Sequence, residues 1–431
     1  MKTHASLIII AALLLLPGLA QALTMQEAID LALENNHALK QSQYEAEASR
    51  SAYKANIAPF YPAIQAKYSY ADSNRTAYGA YEKFSSLTLT AAYNVFSGFS
   101  DTNTVRQYKA QAAAAAHMAV SKREDTILDV QSAYMDVLLA SHQAASAREA
   151  VALLERHRHD TELYYREGLV AKNELLKVEV SLSSARYDLL QAESGFKLAV
   201  MSLEQKIGRN LDLTTETPAE HPDSLVDIED VPPSINAEYE RLRERMAENR
   251  SELQYMKLMR DSYAHAANAS MGDLLPSVDI SYSHITYGKD ASPRDRTTPY
   301  EDENVAAVSA SWTLFSGFST GYTVASYKSR FRAASEAMMD TEQQLELQLK
   351  DAIEGYSTAI GMLDLARVTV QQAEESYRVT DTRYRERVST VTELLDARTE
   401  LTAARTKHNS ALYGLHKAVA TLKRVVQAEL N

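Results

Sequence analysis

Phe96-Ser97-Gly98-Phe99-Ser100 returns 219 residues later as Phe315-Ser316-Gly317-Phe318-Ser319. The same offset carries Val105, Tyr108 and Lys109 onto Val324, Tyr327 and Lys328. It still holds where Tyr165-Arg166-Glu167 meets Tyr384-Arg385-Glu386, and where Glu174-Leu175-Leu176 meets Glu393-Leu394-Leu395. A flexible linker would tolerate insertions over such a span, whereas a continuous helix would not. Upstream the offset is 214: Asn35, Leu39 and Pro62 recur as Asn249, Leu253 and Pro276. The five-residue change falls between Pro62 and Phe96, so the second copy has a longer loop there. The chain is a duplication. A duplicated coiled coil of purely structural purpose would show the same register.

Each copy reads helix, two strands, long helix, helix. The first copy covers 23–210, with a strand pair at 62–95, a long helix at 101–167 and a closing helix at 172–207. The second covers 236–431, with a strand pair at 276–315, a long helix at 320–386 and a closing helix at 392–429. The opening helix of the first copy runs over 25–58 until Pro59 and Pro62 stop it. Its counterpart runs over 236–270. Neither long helix contains Pro, and each spans roughly 100 Å at 1.5 Å per residue. Ile127, Val130, Tyr134 and Val137 alternate by three and four, a packing seam. Segment 211–235 joins the copies. It is rich in acids, lacks Lys and Arg, and holds Pro218, Pro222, Pro232 and Pro233, so it reads as a solvated connector around the helices' equator.

Composition narrows the class. The 431 residues carry a net charge of −12 and no basic cluster, which argues against nucleic-acid binding. Only 13 Gly and 10 Pro argue for long helices over a turn-rich all-β chain. The absence of Cys excludes disulfides, thiolate metal sites and a cysteine nucleophile. His157 and His159 diverge on a helix, so they make no two-His metal site. Residues 1–22 read as an export leader, with Lys2, the apolar run Leu7 to Leu16, and Ala20-Gln21-Ala22 as a cleavage site. A short membrane anchor is the lesser alternative, because the run is brief for a spanning helix.

Between the helices, polarity alternates. Leu87, Leu89, Ala91, Tyr93 and Val95 share one face, and Ser86, Thr88, Thr90, Ala92 and Asn94 the other. Before them, Ile64, Ala66, Tyr68 and Tyr70 oppose Gln65, Lys67 and Ser69. In the second copy Val278, Ile280 and Tyr282 oppose Asp279, Ser281 and Ser283. Val308, Ala310, Trp312 and Leu314 likewise oppose Ala307, Ser309, Ser311 and Thr313. Each run is about ten residues, the length of a tilted strand across a bilayer. A half-buried soluble sheet would alternate equally well. Small, largely uncharged polar faces, aromatics placed as interfacial girdles and a polar loop at the end of each pair favour the membrane. Four strands cannot close a barrel, and lipid tolerates no open edge. Two chains would make a small filled barrel. Three would make twelve strands with room for a pore, continued by a tube of twelve long helices. The expected fold is mainly α, with antiparallel helical hairpins forming an α-barrel and four strands per chain contributing to a trimeric β-barrel.

Leu31-Ala32-Leu33-x-Asn35-Asn36, Tyr61-Pro62-Ala63-Ile64 and Leu275-Pro276-Ser277-Val278 stand in the same order as motifs of a known family. So do both Phe-Ser-Gly-Phe segments, Gly168-Leu169-Val170-Ala171 and Leu394-Leu395-Asp396-Ala397. With its leader and duplication, the chain resembles the TolC family of outer-membrane efflux and secretion channels over nearly its whole mature length. The resemblance implies a homotrimer, a twelve-stranded barrel in outer-membrane lipid and a helical tunnel into the periplasm. It implies a periplasmic adaptor (membrane fusion) protein and an inner-membrane pump of RND or ABC type as partners. It implies no catalysis and no cofactor. The competing reading from the residues alone is a soluble periplasmic coiled-coil scaffold.

The resemblance also marks a gate. The hairpins at 166–173 and 385–392 match the family's periplasmic tips. Tyr384, Glu393 and Asp396 match gate positions, and Glu174, with Asn173 beside it, stands where the family has an acidic partner for the tyrosine. A hydrogen bond from Tyr384 to Glu174 or a neighbour would close the gate. Glu393 and Asp396, at i and i+3, share a helix face and in a trimer would form two cation-attracting acidic rings. Without the resemblance they are better explained as ordinary acids at a helix N-terminus. Gly168, Leu169 and Val170 match an adaptor-contact tip, and Arg387 and Val388 occupy the second tip. Gly168 alone reads equally as a helix-capping glycine. Ser389 stands where the family has a basic locking residue, and Arg387 where it has glycine. Phe96, Gly98, Phe99, Phe315, Gly317 and Phe318 mark the two junctions between strand and helix.

Overall fold

The computed structural model describes residues 23–72, 83–211, 218, 238–288, 291–293, 302–386 and 388–427. The leader, most of the connector, most of both strand-pair loops and Arg387 lie outside the described residues. The first copy comprises α1 (Met25–Asn35), α2 (His37–Ala55), β1 (Ala63–Asp72), β2 (Lys83–Phe96), α3 (Ser100–Arg166) and α4 (Lys172–Ile207). The second comprises α5 (Tyr239–Asn249), α6 (Ser251–Gly272), β3 (Ser277–Gly288), β4 (Glu303–Ser311), α7 (Ser319–Arg385) and α8 (Val391–Val426). The chain divides into two compact units. One holds Ser121–Arg250, the segment before Ser42 and the segment from Gln343; the other holds Ser42–Val120 and Ser251–Glu342.

In the first unit, the expected seam is buried. Val130, Tyr134 and Val137 of α3 form one cluster with Ala28, Ile29 and Ala32 of α1 and Val200, Leu203 and Ile207 of α4; Ile127 packs on its edge. The Tyr134 hydroxyl, sealed in this apolar setting, donates to the Leu23 carbonyl at 2.7 Å. That bond satisfies a polar atom whose burial would otherwise cost about 1–3 kcal/mol. A capping box of Thr24 and Glu27 starts α1.

The single opening helices expected over 25–58 and 236–270 are each broken, at Asn36 and Arg250. These positions are equivalent under the 214 offset. Asn36 ends α1 and caps α2, its Oδ1 accepting from Leu39 N at 2.9 Å. Its side-chain amide donates to the Lys206 carbonyl in the last turn of α4, at 2.8 Å. Arg250, buried, donates in the same manner to the carbonyls of Arg424 and Val425 at the end of α8. Each break thus places a donor against unsatisfied carbonyls of another helix's C-terminus. Local propensity carries no trace of that tertiary partner, which is why the sequence reads through both sites.

In the second unit the strands form one antiparallel sheet in the order β1-β2-β3-β4. Register aligns the apolar faces: Ile64 lies opposite Ala91, Ala66 opposite Leu89, Tyr93 opposite Ile280, and Ile280 opposite Val308. One largely apolar face results. His284, paired with Leu89 and Asn304, interrupts it. Two details differ from strict alternation. Val95 is the extra residue of a bulge between Asn94 and Phe96, so Phe96, in its place, pairs with Val278. Trp312 and Leu314 lie beyond β4, because β3 begins at Ser277 and its partner Ser311 is the last rung. The Trp312 indole instead donates to the Leu274 carbonyl at 3.0 Å.

Candidate functional site

Two features are the candidates for function: the exposed sheet and the helical tips. Ile64 on β1 is 82% exposed and Val308 on β4 is 76% exposed. Among the described residues both strands are sheet edges with no partner beyond them. An apolar face with open backbone edges is stable neither in water nor in lipid until further strands pair with it.

The Phe-Ser-Gly-Phe segments turn strand into helix in both copies. Gly98 and Phe99 have φ of +63° and +65°, and Gly317 and Phe318 both have +65°. Phe96 stands edge-on to Phe99 at 5.3 Å, and Phe315 to Phe318 at 5.3 Å. The two left-handed residues in a row explain the glycine. At Gly98 a Cβ would also come within 2.3 Å of the Gly272 carbonyl oxygen.

At the first tip, Gly168 has φ +74°. Its N–H donates to the Tyr165 carbonyl, and Leu169 N to Tyr164 O at 2.8 Å, a Schellman closure. The second tip makes the same long-range bond, Val388 N to Arg383 O at 2.8 Å. Leu169 and Val388 project into solvent. Lys177 links the tips, donating to Thr392 Oγ1 at 3.2 Å.

Beneath them lies a cleft of about 520 Å³, lined by His157 and Tyr164 of α3, Glu174 of α4, and Tyr377, Asp381 and Tyr384 of α7. The Tyr384 hydroxyl faces Thr161 on α3. Thr161 influences the phenol, but no regular hydrogen bond joins the two. Burial pushes the phenol's pKa up, Thr161 opposes this, and Glu174 adds to it. The structure therefore brings Glu174 near Tyr384 without joining them by a hydrogen bond. Asn173 is exposed on the first turn of α4. Glu393 is held below the usual carboxylate range by the Ser389 hydroxyl and then by the Thr390 backbone. With Thr390 it forms a capping box at the start of α8. Asp396 is exposed and has no hydrogen bond or ion pair among the described residues.

The family model for outer membrane efflux proteins matches residues 28–209 and 242–426, both copies of the duplication. The chain belongs to this family. Among curated proteins, Protein CyaE of Bordetella pertussis is 26% identical over 189 residues, 43% of this chain and 40% of that relative's length. A membrane protein of Pseudomonas aeruginosa has the same fold, with a TM-score of 0.81 at 17% identity over 93% of this chain and 92% of that one. The CmeC outer membrane channel of Campylobacter jejuni gives 0.82 at 15% identity, over 93% and 85%.

Within this outer membrane efflux protein, sequence reasoning missed His157, Thr161 and Arg398 as tip residues. His157 stands edge-on to Tyr384 at 6.2 Å. Burial, then Arg398, holds its pKa below the ordinary value, and burial likewise lowers that of Arg398. A signal was present: His157, Thr161 and Tyr164 on one helix, and Tyr377, Asp381 and Tyr384 on the other, follow the i, i+4, i+7 spacing of a seam with polar residues where apolar ones are usual.

Proposed function

We propose that this chain is the outer-membrane exit duct of a tripartite efflux pump or type I secretion system, a passive conduit from periplasm to exterior. The observation that supports it is the exposed, largely apolar sheet face with two open edges. Pairing β4 of one chain with β1 of the next closes the edges, and three chains give a twelve-stranded barrel with an open lumen. Partner chains are then a periplasmic adaptor and an inner-membrane pump, of RND or ABC type, docking at the tips around Gly168, Leu169, Val170, Arg387 and Val388. The scaffold reading is not favoured, since a soluble protein has no use for that uncovered face.

In this reading the tip cleft is the gate. Tyr384 against Thr161 and Glu174 holds α7 to α3 and α4, and docking breaks those contacts. Neither is a formed hydrogen bond, so each contributes less than the roughly 1 kcal/mol of one, which a docking surface readily supplies. Asp396, unengaged by its own helix, forms the acidic ring; Glu393 contributes less, because its carboxylate is tied into the cap. Reconstituted in a planar bilayer, the protein conducts ions. Tyr384→Phe combined with Glu174→Ala raises single-channel conductance. Absence of any conductance would reject the duct, and an unchanged value in the double variant would reject the latch.

A further inference from the structure

We propose that His157 is a proton sensor in the tip: acidification of the surrounding compartment charges its ring and loosens α7 and α8 from α3, opening the channel without docking. This rests on reading the tips as the gate.

The ring is half-buried, and its Nε2 is sealed from solvent with no hydrogen-bond partner. It stands edge-on to the Tyr384 ring at 6.2 Å with an interplanar angle of 77°. From α8 it faces Arg398, whose Nη1 is also sealed without a partner and which forms no ion pair among the described residues. From α7 it faces Asp381, with Tyr377 and Tyr384 on the same wall. Its own helix supplies Arg156 and Asp160, and Glu174 and Arg385 complete the cleft. Asp381 is already paired with Arg385 at 2.7 Å, and Asp160 is exposed to water.

A neutral ring suits this site. A charged one becomes a second cation beside Arg398, with its best-placed acid already engaged. Its escape to water requires leaving Tyr384. Burial is the main influence keeping the ring neutral, Arg398 the next, and the two aspartates only soften them. The closed tip thus binds fewer protons than the loosened one. Its packing contributes fully above the ordinary histidine value of 6.5 and is lost as the pH falls through the lower, closed-state value.

The test uses the full chain. In planar bilayers, conductance of the wild type rises as pH is lowered from about 7.5 to 5, each sensor shifting the open-to-closed ratio by at most about tenfold per pH unit. His157→Gln keeps a polar side chain without the proton and should give a flat profile. Arg398→Gln should move the midpoint to higher pH. In parallel, hydrogen exchange of 377–402 in detergent, corrected for the intrinsic rate, should show the same step and lose it in His157→Gln. Exchange needs no current, so a silent bilayer with a His157-dependent step would reject the duct and keep the sensor. A wild-type pH profile of exchange in His157→Gln would overturn the proposal. Should that variant fail to fold, an unmoved midpoint in Arg398→Gln would overturn it instead.

Discussion

The tips of α3–α4 and α7–α8 share one duplicated frame and use it differently. At the second, Thr390 caps α8 and Glu393 answers it in a capping box. At the first, the equivalent cap is Ala171, which has no side chain to bond, and Glu174 makes no such box. The glutamate is the same and its duty is not. Where threonine caps the helix, the carboxylate stabilises its own helix; where alanine does, it makes no cap and lines the cleft with Tyr384. The same divergence recurs at the helix breaks, where Asn36 and Arg250 do equivalent work with different donors. Duplication fixes the frame, and single residues then decide which glutamate is tied into its own helix cap.

Paired substitutions at equivalent positions sharpen this comparison. The largest difference is expected at the breaks. Arg250→Ala removes a buried charged donor from two carbonyls and should cost roughly 3 kcal/mol, against about 1 for Asn36→Ala. Thermal melting followed by circular dichroism reads both, and equal losses would refute the asymmetry. At the junctions, Gly98→Ala meets the Gly272 carbonyl as well as the φ penalty, whereas Gly317→Ala meets open space. The first should exceed the second, which costs about 1–2 kcal/mol for the left-handed conformation alone. The smallest effect is at the caps. Thr390→Ala should cost about 1 kcal/mol. Ala171→Thr should stabilise α4 slightly, draw Glu174 into a box away from Tyr384 and, in the gate reading, raise conductance. An unaltered conductance would show that Glu174 plays no part in closure.

Much of the architecture was legible because it rests on periodicity. Two-residue alternation located the strands, and one unbroken offset located the long helices. What escaped was set by partners distant in sequence. Asn36 and Arg250 break helices only because the ends of α4 and α8 lie against them. Trp312 leaves the strand only because β3 starts where it does. At the tip, motif order named Tyr384 and the acids, but not which partner each would meet. That Glu393 bonds Ser389 and Thr390 follows from cap geometry, and that Tyr384 meets Thr161 follows from the facing of two helices. Polar residues at seam spacing were the visible trace of that second contact.

Among the described residues one chain leaves both edges of its sheet open, and in the proposed duct copies pool their strands in lipid. Light scattering on detergent-extracted protein, with the detergent mass subtracted, tests it directly. The account predicts a particle of three chains that precipitates when detergent is withdrawn. A monodisperse single chain, soluble in buffer alone, would contradict it.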